Sequence, residues 1–433
     1  MLITRYQTPE MAALWSDENR FQCWLTVEKA VARVQGELGI IPRAAAAKIQ
    51  RARFKIGEIE RFEKQTGHDV IAFTRSVARS VGAAGKYVHY GLTSYDVVDT
   101  ALALLCVQAV SHIENALTEL HRTVTGLAIR YRSTPMMGRT HGMHAEPITF
   151  GFKCLSWLSE IRRNRERLKI ARDQIAYGKL SGTVGAYTRL SPEVEKRVMK
   201  QLGLKVEPVS TQVIPRDRHA FLLATLALIA TGLERIATEI RNLQRTEIDE
   251  LAEPFGSKQA GSSAMPHKKN PIICERVCSL ARVIRAYAFA AYENIPLWHE
   301  RDLTNSAAER IIIPGAFTLL HYSIIQLNRV LAGLVVKTEQ MQKNLKLSGE
   351  TFFSQSLLLA LVSRGMDRTR AYRLVQRLAF KATSRNSTLS AEAFTNRTVR
   401  KYLSESELKH IFHLPNLLKN INQVYKRIQE VND

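Results

Sequence analysis

A regular spacing of apolar side chains over residues 219–251 is the feature that most constrains how this chain folds. The spacing alternates steps of three and four residues, which places the side chains along one side of an α-helix. The apolar positions are Leu226, Ile229, Leu233, Ile236, Ile240 and Leu243. Charged residues occupy the other side, and Pro215 and Pro254 flank the segment. The pattern therefore predicts a long helix that packs in a bundle through a narrow apolar seam.

Helical patterns also dominate elsewhere in the chain, over residues 94–130, 147–175, 274–292 and 306–340. Pro314 lies inside the last of these segments, where it is expected to kink the helix. Strand signals are scarce. Only residues 179–190, with their glycines and their β-branched or aromatic residues, indicate a small hairpin. The fold class predicted from these patterns is all-α.

Two breaks in the helical pattern divide the chain. Thr93, Ser94 and Asp96 offer capping hydroxyls followed by an acid, which is a signature of a helix start. A break that contains glycine and serine lies at residues 346–349. We therefore expect three helical domains. They are an N-terminal domain over residues 1–92, a central long-helix bundle over residues 93–347 and a C-terminal domain over residues 348–433.

An excess of basic residues indicates an anionic partner. The chain has 433 residues, of which 45% are hydrophobic, enough to fill a sizeable core. It carries 62 Lys and Arg against 40 Asp and Glu, so its formal net charge is +22. That charge suits a small polyanion or a nucleic acid. The basic residues are spread along the chain without a nucleic-acid-binding motif, which makes a nucleic acid the less favoured partner.

The five cysteines are an odd number, are scattered along the chain and lie in apolar helical segments, so we expect reduced core thiols. Cys274 and Cys278 are one helical turn apart, but no His or Cys pair at ligand spacing completes a tetrad, and no metal site is predicted. The first residues lack the apolar core of a signal peptide, and the apolar run at residues 222–230 is too short to cross a bilayer. A cytoplasmic location is therefore expected.

The segment 256–271, GSKQAGSSAMPHKKNP, has the composition of a flexible loop between two predicted helices. Small residues free the backbone around Ser262 and Ser263. Lys268 and Asn270 supply a cation and an amide donor next to the N-terminus of the following helix, a favourable place for an anion. The loop therefore predicts a site that binds a carboxylate. An ordinary surface loop with solvated lysines has the same composition, and composition alone leaves both interpretations open.

The letters GSSAMPHKKNP in this loop resemble the signature of the fumarase, aspartase and argininosuccinase superfamily, whose members eliminate fumarate from succinyl compounds. Within that superfamily, further blocks over nearly the full length resemble the adenylosuccinate lyases. The blocks are TRY at 4–6, TGHDV at 66–70, VHYGLTSYDVVDT at 88–100, MMGRTHGMHAEPITFG at 136–151, STQVIPRDRH at 210–219 and PLWHERDLTNSAAERIIIP at 296–314.

This resemblance implies a carbon–nitrogen lyase of purine biosynthesis that needs neither a cofactor nor a metal. Its implied substrates are adenylosuccinate, which gives AMP and fumarate, and the succinylated aminoimidazole carboxamide ribotide. The resemblance also implies a homotetramer, in which the long-helix bundles form one superbundle and each active site draws on more than one subunit. Geometry agrees, because a helix of about 30 residues spans ~45 Å, which keeps motifs at its two ends apart within one chain.

The implied reaction asks for particular side chains. Removing a proton beside a carboxylate creates an aci-carboxylate, and preorganised donors such as Lys268, Asn270 and Ser263 stabilise it by ~2.7–4 kcal/mol each. The leaving amino nitrogen needs a proton, for which we choose His141, because histidine does that work near neutral pH. The resemblance assigns His141 as the general acid and Ser262 as the general base. Ser263 is the alternative base, and the composition does not separate the two serines.

The resemblance also assigns residues to substrate binding. The phosphate and ribose candidates are Arg5, Tyr6, Arg301, Ser306 and Arg310. The candidates for the succinyl end are Thr93, Ser94, Gln212, Lys268 and Asn270. His68 and Asp69, in the block TGHDV, are placed at the substrate. His89 is a further candidate, for which substrate binding and a plain structural role remain equally open.

Two alternative functions and two departures accompany the resemblance. Another lyase or a cycloisomerase of the superfamily shares the loop but not the TGHDV and GLTSYDVVDT blocks. A basic helical nucleic-acid-binding protein needs none of the intact reactive residues. Ser356 stands where the resembling enzymes have arginine, which is expected to weaken a phosphate or subunit contact, and Ala186 stands where they have threonine.

Overall fold

The computed structural model of the chain describes residues 4–256 and 261–429. Residues 257–260 of the predicted loop, and the chain ends at 1–3 and 430–433, lie outside the described residues. Helices make up most of the described part, which confirms the all-α class. The division into three domains at residues 92 and 347 stays a prediction.

The described α-helices are α1 (Pro9–Leu14), α2 (Asp17–Glu37), α3 (Arg43–Ile49), α4 (Ile56–Thr66), α5 (Asp69–Ser80), α6 (Ser94–Arg130), α7 (Phe150–Ile175), α8 (Pro192–Leu202), α9 (Asp217–Leu243), α10 (Ile272–Tyr292), α11 (Thr304–Ala332), α12 (Thr338–Lys346), α13 (Ser354–Ser363), α14 (Arg368–Ser384), α15 (Leu389–Thr395), α16 (Arg397–Tyr402), α17 (Glu405–Ile411), α18 (Pro415–Leu418) and α19 (Ile421–Gln429). Short 3-10 helices cover Thr4–Tyr6, Gly82–Tyr87 and Thr351–Phe353.

The described strands are short and pair in twos. They are β1 (Pro135–Thr140), β2 (Met143–Thr149), β3 (Tyr177–Gly178), β4 (Lys205–Val206), β5 (Leu251–Ala252) and β6 (Val335–Val336). Strands β1 and β2 pair antiparallel, β3 and β4 pair parallel, and β5 and β6 pair antiparallel. These pairs hold loops together at helix ends and form no larger sheet within the part of the chain that is described.

Helix α6 has the bounds that its apolar pattern predicts, from Ser94 to Arg130. The backbone N–H of Thr93 donates to Oδ2 of Asp96 at 2.9 Å, and the N–H of Asp96 donates to the carbonyl of Thr93 at 3.1 Å. The acid three residues on thus satisfies a backbone donor at the helix start, which is one of the two contacts of a capping box. The predicted helix start is confirmed.

The apolar stripe at residues 219–251 is buried as predicted, because each of its six positions is at most 2% exposed. The predicted end of the helix is wrong, since α9 ends at Leu243. The N–H of Glu250 donates back to the carbonyl of Leu243 at 2.9 Å, and Asp249 has a φ of 52°. The chain therefore turns at the last apolar position and enters β5.

The predicted helix 306–340 also ends early, at Ala332, although Pro314 lies inside it as expected. A Cβ on Gly333 would lie 2.9 Å from the Cβ of Pro254, so the chain passes this point only without a side chain. The N–H of Lys337 then donates to the carbonyl of Glu250 at 3.0 Å, beside the β5 and β6 pair. This pairing replaces the last turns of the predicted helix.

The hairpin predicted at residues 179–190 is wrong. Side chains satisfy this backbone instead of a partner strand, since Oε1 of Glu195 accepts from the N–H of Leu180 at 2.7 Å. Lys179 is fully buried, and its Nζ donates to Oδ1 of Asp96 at 2.5 Å. The structure instead contains a hairpin of β1 and β2, in the block MMGRTHGMHAEPITFG, for which no hairpin was predicted.

Three helices, α6, α9 and α11, are long and apolar enough to cross a membrane by length and composition. The apolar run at residues 222–230 is too short to cross a bilayer by itself, but it lies within α9, which has 27 residues. The most apolar windows of the three helices are 61%, 61% and 72% buried by the protein. Their apolar faces therefore form protein core.

The chain forms two compact units. The first unit comprises Met1–Glu119, Arg163–Arg235 and Arg276–Leu327. The second unit comprises Leu120–Arg162, Ile236–Glu275 and Asn328–Asp433. In the first unit an aromatic cluster of Phe21, Trp24, Phe54 and Phe73 joins α2 to α5. In the second unit, α13 to α17 enclose a core built around Leu357, Leu361 and Leu374.

Candidate active site

His141 lies at the tip of the hairpin that β1 and β2 form in the second unit. Thr140 pairs with Met143, so His141 and Gly142 make a two-residue turn. Both residues have positive φ, 54° and 78°, as the favoured hairpin turns with two left-handed residues require. A histidine in this backbone region is uncommon and marks a position that the surrounding structure holds in place. The imidazole is exposed at the tip.

The hairpin is anchored by a buried ion pair two residues before its tip. Arg139 donates from Nη1 and Nη2 to the two carboxylate oxygens of Glu250, at 3.0 and 2.7 Å. The Glu250 side chain is fully buried, and the Asn344 side chain donates to its Oε1 at 2.8 Å. This two-pronged geometry gives strong and directional hydrogen bonds. It fixes the base of the hairpin to α12 and to the chain before β5.

The described part of the predicted loop, residues 261–270, folds back on itself. The Ser262 hydroxyl accepts from the N–H groups of Ala264 and Met265 at 3.3 and 3.1 Å. The Asn270 amide donates to the carbonyl of Gly261 at 3.1 Å, and a Cβ on Gly261 would lie 2.0 Å from the carbonyl oxygen of Lys268. Ser262 is half-buried in this turn, whereas Ser263 and Lys268 are exposed.

The N-terminus of α10 is not the open anion site that the sequence predicted. The Glu253 carboxylate accepts from the N–H groups of Ile273 and Cys274, at 3.2 and 2.6 Å, and so fills that position with the protein's own anion. Gln244 holds Glu253 there by accepting from its N–H at 2.9 Å. These N–H groups at the helix terminus are therefore not free for an external carboxylate.

In the first unit, His68 and Asp69 lie at the start of α5. Nη2 of Arg310 donates to Oδ2 of Asp69 at 2.5 Å, and the N–H of Val70 donates to Oδ1 at 2.8 Å. Burial raises the pKa of Asp69, but the contacts with Arg310 outweigh it, so the pKa lies below its ordinary value. Nδ1 of His68 is buried without a hydrogen bond, 3.6 Å from Oδ1 of Asp69. The structure thus joins three of the predicted residues.

His89 is held in a strained turn by a buried carboxylate. Its φ is 60°, its N–H donates to Oε2 of Glu28 at 3.0 Å, and its Nδ1 lies 2.6 Å from Oε1 of the same residue. Burial opposes protonation, yet the Glu28 carboxylate outweighs it and raises the pKa of His89. The pair favours an imidazolium, which adds a fixed positive charge to this part of the first unit.

Arg301 is a predicted cation that packs against an aromatic ring. Its Nη1 donates to Oε1 of Gln212 at 2.9 Å, while its Nε and Nη2 are buried without a hydrogen-bond partner. The guanidinium carbon lies 3.4 Å from the centre of the Tyr95 ring. The Tyr95 hydroxyl donates to the Ser306 hydroxyl at 3.2 Å. The structure therefore joins Arg301 directly to Gln212 and, through Tyr95, to Ser306.

A cavity of about 170 Å³ in the first unit adjoins these groups. Tyr95, Ser306 and Arg310 line it together with Trp15, Trp24, Arg20 and Glu309. Nε1 of Trp15, Nε of Arg20 and Oε1 of Glu309 are buried there without hydrogen-bond partners. The cavity thus combines aromatic walls with polar atoms that are available to a ligand or to water.

The remaining predicted residues show simpler surroundings. Thr93 and Ser94 are half-buried at the start of α6. The Tyr6 ring packs edge-on against Tyr322 at 5.7 Å, and Arg5 is exposed beside it. The first unit holds Arg5, Tyr6, His68, Asp69, His89, Thr93, Ser94, Gln212, Arg301, Ser306 and Arg310, and the second unit holds His141, Ser262, Ser263, Lys268 and Asn270.

Sequence reasoning did not assign Tyr95, Glu28 or Glu250, each of which contacts a predicted residue or its hairpin. Tyr95 lies in a matching block directly after Ser94, so its position was a usable signal. Glu28 and His89 are 61 residues apart in the chain, and no local pattern links them.

Of the two residues that depart from the family pattern, Ser356 is half-buried in α13. Ala186 follows Gly185, at which a Cβ would lie 2.0 Å from the Ser210 carbonyl oxygen.

Comparison with known proteins identifies close relatives. Residues 4–286 match the family described as Lyase, and residues 350–428 match the family described as Adenylosuccinate lyase C-terminus. The chain is 48% identical over 431 residues to the adenylosuccinate lyase of Aquifex aeolicus, with 99% of both chains covered. It is 46% identical over 429 residues to the adenylosuccinate lyase of Bacillus subtilis, again with 99% of both chains covered.

Solved structures with the same fold include other enzymes of related chemistry. The 3-carboxy-cis,cis-muconate lactonizing enzyme from Pseudomonas putida matches with a TM-score of 0.90 and 28% identity, over 98% of this chain and 97% of that one. A fumarate lyase from Mesorhizobium sp. BNC1 matches with a TM-score of 0.88 and 27% identity, over 96% of each chain.

Proposed function

Because the chain belongs to the adenylosuccinate lyase family, we propose that it eliminates fumarate from adenylosuccinate, giving AMP, and from the succinylated aminoimidazole carboxamide ribotide. The chain is a carbon–nitrogen lyase of purine biosynthesis. The proposal concerns its two substrates, the residues that bind and convert them, its assembly and its location. We place the enzyme in the cytoplasm.

The unsatisfied donor edge of Arg301 is the observation that carries the substrate proposal. Nε and Nη2 lie on one edge of a guanidinium, and both are buried without partners. Two parallel N–H donors on a desolvated cation match the spacing of two oxygens on a phosphate. Ser306, whose hydroxyl contacts the same Tyr95 that packs against Arg301, adds a further donor. These groups are therefore the proposed receptor for the substrate's phosphate.

Further charges of the first unit suit the same polyanion. Arg310 pairs with Asp69 through one nitrogen, which leaves other donors of this half-exposed guanidinium for the phosphate. His89, whose pKa the Glu28 carboxylate raises, supplies a second positive group. Arg5 and Tyr6 are further phosphate and ribose candidates. We assign His68, Thr93, Ser94 and Gln212 to the succinyl side of the substrate.

The second unit supplies the groups that we propose for proton transfer. His141 at the exposed hairpin tip donates the proton to the leaving nitrogen, and Ser262 removes the proton beside the carboxylate. Lys268, Asn270 and Ser263 stabilise the aci-carboxylate that forms. The Ser262 oxygen accepts two backbone N–H groups, which favour negative charge on that oxygen and so favour its action as a base. Neighbouring positive groups such as Lys268 act in the same direction.

We propose a homotetramer in which each site combines segments of different subunits. Large apolar side chains that are exposed on long helices of the first unit support an association between copies, because covering them with another subunit removes apolar surface from water. Phe221 and Leu228 on α9, Phe289 on α10 and Ile311 on α11 are between 43% and 67% exposed, and Trp298 is 78% exposed. Packing long helices of several copies against one another would bury them.

Turnover by the purified protein tests the proposed reaction. Adenylosuccinate and the succinylated ribotide are expected to release fumarate, whereas argininosuccinate and 3-carboxy-cis,cis-muconate are expected to be inert. Turnover of either control instead of adenylosuccinate would assign a different lyase or a cycloisomerase. No turnover, combined with RNA binding whose affinity falls steeply with salt, would replace the enzyme by a nucleic-acid-binding protein.

Mixed tetramers test the shared sites. His141→Ala and Ser262→Ala proteins are dissociated, mixed in equal amounts and reassociated, and the hybrids are verified by mass spectrometry. Random assembly makes roughly a quarter of the sites fully intact if the two residues come from different subunits. Recovery of activity toward that fraction supports the proposal. Verified hybrids that stay as inactive as their parents would place both residues in one chain.

A further inference from the structure

The Arg301 guanidinium owes its orientation to few contacts. Gln212 accepts one hydrogen bond from Nη1 at 2.9 Å, and Nε and Nη2 have no hydrogen-bond partner. One hydrogen bond at one nitrogen does not fix the plane of a guanidinium, because the group still rotates about that contact. An empty two-donor edge binds an oxyanion well only if its plane is fixed beforehand. Another group must therefore hold the plane.

Tyr95 is that group. Its ring centre lies 3.4 Å from the guanidinium carbon of Arg301, a close cation–π contact. The ring is 8% exposed in the second position of α6, so the core holds it in one rotamer. The ring covers a face of the guanidinium and leaves its edge, with the buried Nε and Nη2, without a hydrogen-bond partner.

The same side chain also orients Ser306. The Tyr95 hydroxyl donates to the Ser306 hydroxyl at 3.2 Å, which leaves the serine hydrogen free to point at a ligand. Burial, aided by the Asp99 carboxylate, raises the pKa of Tyr95, so its hydroxyl stays protonated and remains a donor. One tyrosine thus contacts two separate residues, five positions apart in the chain, that offer donors to an anion.

We propose that Tyr95 is a positioning residue for phosphate binding: its ring fixes the plane of Arg301 and its hydroxyl orients Ser306, so that both present donors to one oxyanion. This inference rests on the proposed function, because it assigns the oxyanion as the substrate's phosphate. Tyr95 itself contacts no reacting atom in this role. Its removal should therefore weaken phosphate binding and leave the succinyl end of the substrate alone.

The test compares Tyr95→Phe, which keeps the ring, with Tyr95→Leu, which removes it. Tyr425→Phe is the matched control, because it deletes another buried tyrosine hydroxyl, one that donates to the carbonyl of Ala128 at 2.8 Å in the second unit. For each protein we would measure kcat and KM with adenylosuccinate, and the inhibition constants of inorganic phosphate and of fumarate. Phosphate and fumarate probe the two ends of the site separately.

Tyr95→Leu is expected to raise KM and the phosphate inhibition constant about 10-fold, as loss of a desolvated cation–π contact implies. Tyr95→Phe is expected to raise both about threefold, through the lost hydroxyl. In both variants the fumarate inhibition constant and kcat should stay within about twofold of the parent, and Tyr425→Phe should change none of these values.

Equal losses of phosphate and fumarate binding would reduce Tyr95 to a general structural role. Unchanged phosphate binding in both variants would overturn the proposal outright. Calorimetric titration with inorganic phosphate gives the same comparison without turnover. A parent protein that bound phosphate but released no fumarate from adenylosuccinate would therefore refute the proposed function while the role of Tyr95 was still decided. If Tyr95→Leu failed to fold, Tyr95→Phe would decide alone.

Discussion

Replacing Glu309 by glutamine is predicted to stabilise the protein above neutral pH. The Glu309 carboxyl is buried beside Arg216 and Asp99, and the Asn305 amide donates to its Oε2 at 3.0 Å. Its Oε1 lies 3.3 Å from Nε of Arg216, but neither atom makes a hydrogen bond. Nη2 of Arg216 donates instead to both carboxylate oxygens of Asp99, each at 2.8 Å. Glu309 is therefore an under-satisfied buried acid.

The magnitude follows from the pKa. Burial, with the Asp99 charge, raises the pKa of Glu309 from 4.5 to about 7, although Arg216 opposes the shift. A raised pKa means that the folded protein holds more protons than the unfolded chain between these two values, so stability falls as pH rises through that window. At about 1.36 kcal/mol for each pH unit between the two pKa values, the loss in the free energy of unfolding approaches about 3 kcal/mol above pH 7. Glutamine, which never ionises, avoids this loss.

Urea unfolding at pH 5, 6, 7 and 8, at one fixed protein concentration, measures the effect. We expect the free energy of unfolding of Glu309→Gln to gain on that of the parent as pH rises, with most of the gain between pH 5 and 7 and little above pH 8. Glu407→Gln is the control, because hydrogen bonds with Ser404 and Arg364 lower the pKa of Glu407 to about 2, outside this range. If the free energies of unfolding of Glu309→Gln and the parent changed in parallel with pH, Glu309 would not have a raised pKa in the folded protein.

Three further predictions concern other buried contacts. Arg139→Met is expected to lower the free energy of unfolding by about 3–5 kcal/mol, because it leaves the buried Glu250 carboxylate unpaired, and a double variant with Glu250→Leu should regain much of that loss in the same urea assay. Glu28→Gln is expected to lower the pKa of His89, measured by NMR titration. Because that pKa is raised in the folded protein, the pair stabilises the fold below pH 6.5, and this contribution disappears as pH rises through the pKa of folded His89. Glu28→Gln should abolish this pH dependence of the free energy of unfolding. Glu253→Ala should remove the N-terminal cap of α10 and lower the free energy of unfolding by about 1 kcal/mol, which a lower thermal midpoint would show.

The sequence was sufficient to predict elements whose stabilising contacts lie within one helix. Helix α6 begins at Ser94 because Asp96 satisfies the N–H of Thr93 three residues away, and this signature is visible in the letters. The apolar stripe of α9 is buried along its length, because the repeat of the helix itself dictates which side faces the core.

Elements that depend on distant partners could not be predicted in this way. Helix α9 stops at Leu243 because Glu250 and the β5 and β6 pair capture the following chain, and β6 lies more than eighty residues later. Lys179 is buried because Asp96, 83 residues earlier in the chain, pairs with it. A lysine in a glycine-containing segment gives no local indication of that partner.

The candidate site divides in the same manner. Matching blocks predicted residues for substrate binding, such as Arg301 and Ser306. The side chains that support these residues could not be predicted from local sequence. Tyr95 reaches Arg301 only after folding has brought α6 and the segment before α11 together in the first unit. The helix N-terminus beside Lys268 was predicted to be open, yet Glu253 occupies it.

The chemistry assigned to His141 and Ser262 is tested most directly by fumarate release from adenylosuccinate, measured in parallel for the parent protein, His141→Ala and Ser262→Ala. Circular dichroism and light scattering would verify that each variant keeps its fold and assembly. We expect each substitution to lower kcat by at least ~10²-fold, as loss of a proton-transfer group implies. Near-normal turnover in Ser262→Ala, with collapse in Ser263→Ala, would contradict the assignment of the base. Near-normal turnover in His141→Ala would contradict the assignment of the acid.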